Sequence, residues 1–95
     1  MDCIRVLILE DDQDIIDLIR SILEPAYECV TAGNGLEGLQ RAMQNPPDLV
    51  ICDIMMPVMD GREFIKCLRR QPGCEQVPVI LLSALSSREQ IRDGY

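Results

Sequence analysis

The sequence contains no histidine and no tryptophan, and aromatic residues make up only 3% of its 95 positions. Its five cysteines form an odd set without C-x-x-C spacing: Cys3, Cys29, Cys52, Cys67 and Cys74. Because zinc sites in proteins are built mainly from closely spaced cysteine and histidine, a zinc site has few possible ligands here. We therefore expect reduced thiols, with Cys52 acting as a small core residue.

Long hydrophobic runs are also absent. The longest ones, such as residues 49–52 and 77–82, are far shorter than the roughly twenty residues that a membrane-spanning helix needs. The first residues lack the charged start, apolar stretch and cleavage site of a signal peptide. These absences predict no membrane span and a cytoplasmic location.

Positive charge is scarce, since 9 lysines and arginines face 16 aspartates and glutamates, for a net charge of −7 and a pI near 4.4. A nucleic-acid backbone would be repelled by this charge, so we expect no direct nucleic-acid binding by this chain. The arginines Arg62, Arg69 and Arg70 are expected on a solvated helix face. With 47% apolar and 26% charged residues, the composition is typical of one globular domain with a modest core.

Short apolar runs alternate with segments of helical periodicity. Strands are predicted at residues 4–9, 27–32, 49–52 and 78–82. Helices are predicted at residues 12–23, 36–43 and 62–70, and Ser86 or Ser87 could cap a last helix that is incomplete at Tyr95. This alternation favours an α/β fold in which βα units surround a parallel sheet.

The polar residues that could react or bind a ligand follow the predicted strands. Strand one ends in Glu10-Asp11-Asp12, strand three in Asp53 and strand four in Ser83. Ligands of open parallel sheets bind at the carboxyl ends of the strands, so these side chains should converge if strands one and three are neighbours. Clustered carboxylates repel one another, and a hard dication such as Mg²⁺ would compensate them. Because the chain has no Gly-rich phosphate loop, phosphate is expected to join a carboxylate covalently.

Four motifs occur in order: LILEDDQD, AGNGLEGL, PDLVICDIMMPVMDG and PVILLSA. Together the chain resembles the receiver domain of two-component response regulators. The resemblance implies a flavodoxin-like, doubly wound parallel sheet with strand order 2-1-3-4. Residues 1–95 would then form an incomplete receiver domain that lacks the fifth strand, the final helix and part of the fourth helix.

The resemblance also implies roles for individual residues in signal transduction. Asp53 would accept a phosphoryl group from a phosphohistidine on a sensor histidine kinase or phosphotransfer protein, as in a phosphorelay. Asp11, Asp12 and Asp53 would hold Mg²⁺ together with the backbone carbonyl of Met55. Ser83 would hydrogen-bond the phosphoryl group and move with it, changing the face formed by the fourth strand and fourth helix to control an unidentified effector. The domain would act only on its own phosphorylation and dephosphorylation, and is therefore not expected to be an enzyme.

The family's conserved lysine and inward-turning aromatic residue would fall beyond Tyr95, and Lys66 is poorly placed to replace that lysine. Strand four would then become a sheet edge. Exposed apolar edges invite pairing with another chain, so self-association through residues 79–82 is predicted.

Other interpretations remain open at this point. Asp12 taken alone would cap a helix, and Ser83 taken alone would be a turn or cap residue. A Mg²⁺-dependent phosphohydrolase would place D-x-D after the first strand, whereas here the spacing is Glu10-Asp11-Asp12. A pseudo-receiver that only binds a partner is the third possibility.

Overall fold

Seven helices and strands alternate along the part of the chain that the computed structural model describes, which comprises residues 3–53, 59 and 61–82. In chain order they are β1 Arg5–Leu9, α1 Gln13–Leu23, β2 Glu28–Ala32, α2 Gly35–Gln44, β3 Leu49–Cys52, α3 Gly61–Arg69 and β4 Val79–Leu81. The four predicted strands and the first three predicted helices are present, and their ends differ from the prediction by at most one residue. The predicted last helix lies outside the described residues.

The four strands form one parallel sheet in the order β2-β1-β3-β4. In the centre, Leu7 of β1 pairs with Val30 on one side and with Val50 on the other. This arrangement confirms the predicted flavodoxin-like topology. It also places β1 and β3 side by side, so their carboxyl ends meet at the same edge of the sheet.

The side chains of β1 and β3 alternate between two apolar clusters, one on each face of the sheet. Val6, Ile8 and Ile51 pack with the buried isoleucines of α1. Leu7, Leu9, Val50 and Cys52 pack on the opposite face with α2, α3 and the segment before β4. Both faces of the central strands are therefore covered, which explains why their sequences are continuously apolar.

Polar side chains fix the first turns of α1 and α2 directly after the strands that precede them. The Asp12 carboxylate accepts a hydrogen bond from the Asp14 amide at 2.9 Å and caps α1. Asn34 caps α2 by accepting from the Glu37 amide at 2.8 Å, and Glu37 in turn accepts from the Gly33 amide. These reciprocal bonds satisfy amides that the helix itself leaves unpaired.

The expectation of a solvated arginine face on α3 is only partly met. Arg62 and Arg70 are exposed, but Arg69 is half-buried and its guanidinium donates to the carbonyls of Cys74 and Val77. The prediction for Arg69 was wrong because the loop that follows α3 folds back over the end of the helix. A contact with the following loop produces no periodic pattern in the sequence.

Strand β4 lies at one edge of the described sheet. Its residues Ile80 and Leu81 are 50% and 41% exposed, as expected of a strand at a sheet edge. Among the described residues, no helix combines the length and the apolar character needed to cross a bilayer.

Candidate functional site

The register of β1 and β3 brings two carboxylates to the same level of the sheet. The last residue pair of the two strands is Leu9 with Cys52, so Glu10 and Asp53 each follow directly. The Asp53 amide donates to the Leu9 carbonyl at 3.0 Å, and the Glu10 amide donates to the Ala32 carbonyl at 3.0 Å. The backbone on both sides of the site is therefore held by the sheet.

Three carboxylates gather at this edge: Glu10, Asp11 and Asp53, hereafter the acid cluster. One oxygen atom from each can be chosen so that all three lie within 4.8 Å of one another. Glu10 and Asp53 are each only 1% exposed, whereas Asp11 is exposed. The acid cluster thus has a buried floor and a rim open to solvent.

Glu10 is the unusual member of the acid cluster. Its Oε2 accepts a hydrogen bond from the Asp12 amide at 3.1 Å. Its Oε1 is buried and has no hydrogen-bond partner among the described residues. Burial, with smaller contributions from the neighbouring charges of Asp53 and Asp11, raises the pKa of Glu10 from 4.5 to about 7, although the bond from the Asp12 amide acts in the opposite direction.

A cation fits this arrangement. Three carboxylate oxygens facing one another repel, and an unpartnered buried oxygen leaves part of their ligand capacity unused. Mg²⁺ prefers a small number of carboxylate oxygens and keeps water or phosphate oxygens as its remaining ligands. The acid cluster therefore has the donor set for a magnesium site.

The structure brings together two of the residues that the resemblance implies as metal ligands, Asp11 and Asp53. Asp12 instead caps α1 through its carboxylate, and its role as a ligand stays a prediction. Met55 and Ser83 lie outside the described residues, so their predicted roles also stay predictions.

Glu10 is absent from the ligand set implied by the resemblance, yet it belongs to the acid cluster. A signal for it was present in the sequence. The apolar runs of β1 and β3 each end in a carboxylate, and aligning those two ends pairs Glu10 with Asp53. The sequence Glu10-Asp11-Asp12 does not itself show which carboxylates lie beside Asp53, because any two of the three could do so.

Comparison with known proteins gives a consistent result. The family model described as the response regulator receiver domain matches residues 6–95. The transcriptional regulatory protein PrrA of Mycobacterium tuberculosis is 42% identical over 84 residues, which cover 87% of this chain and 35% of PrrA. The chain therefore spans about a third of the length of this relative.

Two solved structures share the fold. Chemotaxis protein CheY4 of Vibrio cholerae superimposes with a TM-score of 0.80 at 32% identity, covering 98% of this chain and 82% of CheY4. The phosphorylated cyanobacterial phytochrome response regulator RcpA gives a TM-score of 0.77 at 27% identity, covering 99% of this chain and 74% of RcpA.

The sheet order and the acid cluster at its carboxyl edge define an open α/β domain that is built around clustered carboxylates. The chain belongs to the response regulator receiver domain family. Receiver domains of this family are phospho-accepting signalling modules of two-component systems, and they interact with histidine kinases.

Proposed function

We propose that Asp53 accepts a phosphoryl group from the phosphohistidine of a histidine kinase or phosphotransfer protein. The observation that carries this proposal is the position of Asp53 at the end of the central strand β3, 1% exposed and within the acid cluster. A carboxylate in this position is a suitable oxygen nucleophile, provided that a cation offsets the negative charge around it.

Glu10, Asp11 and Asp53 are the residues that would hold Mg²⁺, either directly or through its water molecules. Bound Mg²⁺ would supply charge neutralisation for the carboxylates and for the arriving phosphoryl oxygens. The proposed set adds Glu10 to the residues implied by the resemblance. Its carboxylate belongs to the acid cluster, and its buried Oε1 has no hydrogen-bond partner among the described residues, so this oxygen is available to a cation. Asp12 and the Met55 carbonyl remain predicted ligands.

In the proposed reaction an Asp53 carboxylate oxygen attacks the phosphorus atom in line with the bond to the histidine nitrogen. The new P–O bond forms as the P–N bond breaks, and the bonding electron pair leaves with the imidazole. Phosphoryl transfer depends mainly on positioning and charge stabilisation. The hydrogen bond from the Asp53 amide to the Leu9 carbonyl, at 3.0 Å, provides part of that positioning.

Ser83 is proposed to donate a hydrogen bond to the phosphoryl group and to carry the change to the β4 face, where an effector would respond. The chain would promote its own phosphorylation and later hydrolysis without turning over an external substrate, so we do not propose an enzyme. We also propose a cytoplasmic location for this chain.

A labelling experiment tests the assignment of Asp53. The wild-type chain, Asp53→Asn and the matched control Asp17→Asn are incubated with Mg²⁺ and a small phosphodonor such as acetyl phosphate. Asp17 is an exposed carboxylate on α1, outside the acid cluster, so its substitution removes the same charge. We expect one acid-stable, base-labile phosphoryl group per chain in the wild type and in Asp17→Asn, and none in Asp53→Asn.

The other outcomes separate the alternatives. Full labelling of Asp53→Asn would show that another residue is the acceptor. Phosphate release much faster than the phosphorylated chain decays after the donor is removed would indicate a phosphohydrolase. Absence of labelling in the wild type, also after addition of a phosphorylated histidine kinase, would indicate a pseudo-receiver. Chelation of Mg²⁺ should abolish labelling if the proposed metal site is used.

A further inference from the structure

Helix α2 packs against β1 through a glycine in the middle of the helix. A Cβ atom added at Gly38 would stand 2.8 Å from Leu9 Cδ2, 2.9 Å from Leu9 Cγ and 3.0 Å from Leu9 Cδ1. Carbon atoms in folded proteins do not approach so closely, so one of the two residues would have to move. Leu9 is fully buried in the cluster between the sheet and α2, which leaves it no open space.

Leu9 is also the residue that joins the two buried members of the acid cluster. Its carbonyl accepts the hydrogen bond from the Asp53 amide at 3.0 Å, and its own C-terminal neighbour is Glu10. The atoms that an added Cβ would meet belong to the Leu9 side chain, so a shift passed on to the Leu9 backbone would also move the Glu10 backbone and the hydrogen-bonded Asp53 backbone.

We propose that Gly38 is a positioning residue for the acid cluster. Its missing Cβ allows Leu9 to lie where Glu10 and Asp53 share one cation. The inference rests on the proposed function in one respect, namely that the cation is Mg²⁺. A second observation points to the same place, because the buried Glu10 Oε1 is unpartnered and adjoins the carboxylates that Leu9 connects.

The competing explanation is that Gly38 serves helix packing alone. Alanine is the better helix former, so Gly38→Ala would then be neutral or stabilising once Leu9 had adjusted. Such a packing role would leave cation affinity unchanged in a folded variant. Metal affinity therefore distinguishes a positioning role from a packing role.

The experiment compares Gly38→Ala with Gly33→Ala, where an added Cβ would meet nothing within 4 Å. The Mg²⁺ dissociation constant of each chain is measured by titration calorimetry, at a temperature where circular dichroism shows it to be folded. We expect Gly38→Ala to weaken Mg²⁺ binding about tenfold, as is typical when a residue that orients a metal ligand is altered. Gly33→Ala should leave the constant within about twofold, because an exposed addition touches no ligand.

A compensating substitution tests the proposed contact. Leu9→Val removes the terminal methyl groups that the new Cβ would meet, so Gly38→Ala/Leu9→Val should recover most of the lost affinity. The effects of the two substitutions would then be non-additive, as expected of residues in contact. If Gly38→Ala does not fold, the double variant must fold and bind Mg²⁺ within about threefold of the wild type for the contact to explain the defect.

A metal-free measurement separates failure of this inference from failure of the proposed function. The amide proton resonance of Asp53 reports its hydrogen bond to the Leu9 carbonyl, and it should shift in Gly38→Ala but not in Gly33→Ala. If the wild type binds no Mg²⁺, the proposed function fails while this resonance still tests the positioning role. An unshifted Asp53 resonance together with unchanged Mg²⁺ affinity in Gly38→Ala would overturn the inference.

Discussion

Glu10 is a buried carboxylate, only 1% exposed. Burial, reinforced by the nearby charges of Asp53 and Asp11, raises its pKa to about 7. Because this folded-state pKa lies above the ordinary value of 4.5, the folded chain holds a proton more tightly than the unfolded chain. In the absence of metal, the resulting stability is fully present below pH 4.5 and is lost as pH rises through about 7.

Glu10→Gln is predicted to change both the stability of the metal-free chain and its affinity for Mg²⁺. At pH 8 without metal, the substitution should raise the free energy of unfolding by about 1–2 kcal/mol, since it removes a buried charge from a repulsive cluster. Urea titrations between pH 4 and pH 8 measure this change and the flattening of the pH dependence. The same variant should bind Mg²⁺ more weakly than the wild type.

Glu75→Gln provides the matched control, because Glu75 is an exposed carboxylate in the loop before β4. It should change neither the pH dependence nor Mg²⁺ binding. If Glu10→Gln were less stable than the wild type at pH 8 while its Mg²⁺ affinity was unchanged, Glu10 would have a structural role and no part in binding the metal.

The position of Glu10 in the acid cluster could not be predicted from the sequence alone. Strand ends and acidic residues were both recognisable, and the family resemblance implied Asp11, Asp12 and Asp53 as ligands. The choice among Glu10, Asp11 and Asp12 depends on strand register and on which side chain turns into the helix cap. The strand register follows from hydrogen bonds between distant segments, which a single sequence does not display.

At the level of the secondary-structure elements, α3 is fastened at its end by Arg69. The half-buried guanidinium donates to the carbonyls of Cys74 and Val77, which lie in the segment leading into β4. Hydrogen bonds from a charged donor to buried carbonyls are among the stronger ones in proteins. Arg69 therefore connects the end of α3 to the start of the edge strand.

Arg69→Ala is predicted to lower the free energy of unfolding by about 2 kcal/mol, since it leaves two carbonyls without their charged donor. Arg70→Ala removes the same charge from the exposed neighbouring position and should change stability by about 0.5 kcal/mol or less. Chemical denaturation of both variants measures the difference. Equal losses in the two variants would show that charge, and not the hydrogen bonds of Arg69, stabilises this end of α3.

The boundaries of the elements were predictable to within one residue because local chemistry marks them. Asp12 and Asn34 cap the helices that follow them, and Pro46-Pro47 comes shortly after the last residues of α2. The contact of Arg69 was not predictable, since its partners lie on a loop whose path is set by packing. Local signals therefore determined the elements, while contacts between elements determined the roles of their polar residues.

For the whole molecule, the net charge of −7 and the exposed edge strand act in opposite directions. Like charge keeps chains apart, whereas Ile80 and Leu81, exposed on β4 in the described part of the sheet, favour pairing with another chain. We predict that the 95-residue chain self-associates at high concentration and that added salt strengthens the association by screening repulsion.

Analytical ultracentrifugation over a range of concentrations tests this prediction. Ile80→Lys should shift the chain toward the monomer, because a charge on an edge strand disfavours pairing. Lys66, on the exposed part of α3, offers a control site where Lys66→Ala should leave association unchanged. A wild-type chain that stays monomeric at the highest concentration and at high salt would refute the prediction.

Mg²⁺ is predicted to stabilise the folded chain, because the unfolded chain cannot assemble the acid cluster. At a concentration one hundred times the dissociation constant, the expected gain is about 2.7 kcal/mol. Thermal unfolding with and without Mg²⁺ measures it, and Asp53→Asn should reduce the gain while Asp17→Asn preserves it. An equal gain in all three chains would place the stabilising ion outside the acid cluster.

The identity of the phosphorylated residue is the most direct test of the account. After incubation with Mg²⁺ and acetyl phosphate, borohydride converts an aspartyl phosphate into homoserine, whose position is then read by peptide mass spectrometry. The account predicts homoserine at position 53 and at no other aspartate. Homoserine at position 11, 12 or 48, with Asp53 unmodified, would contradict it.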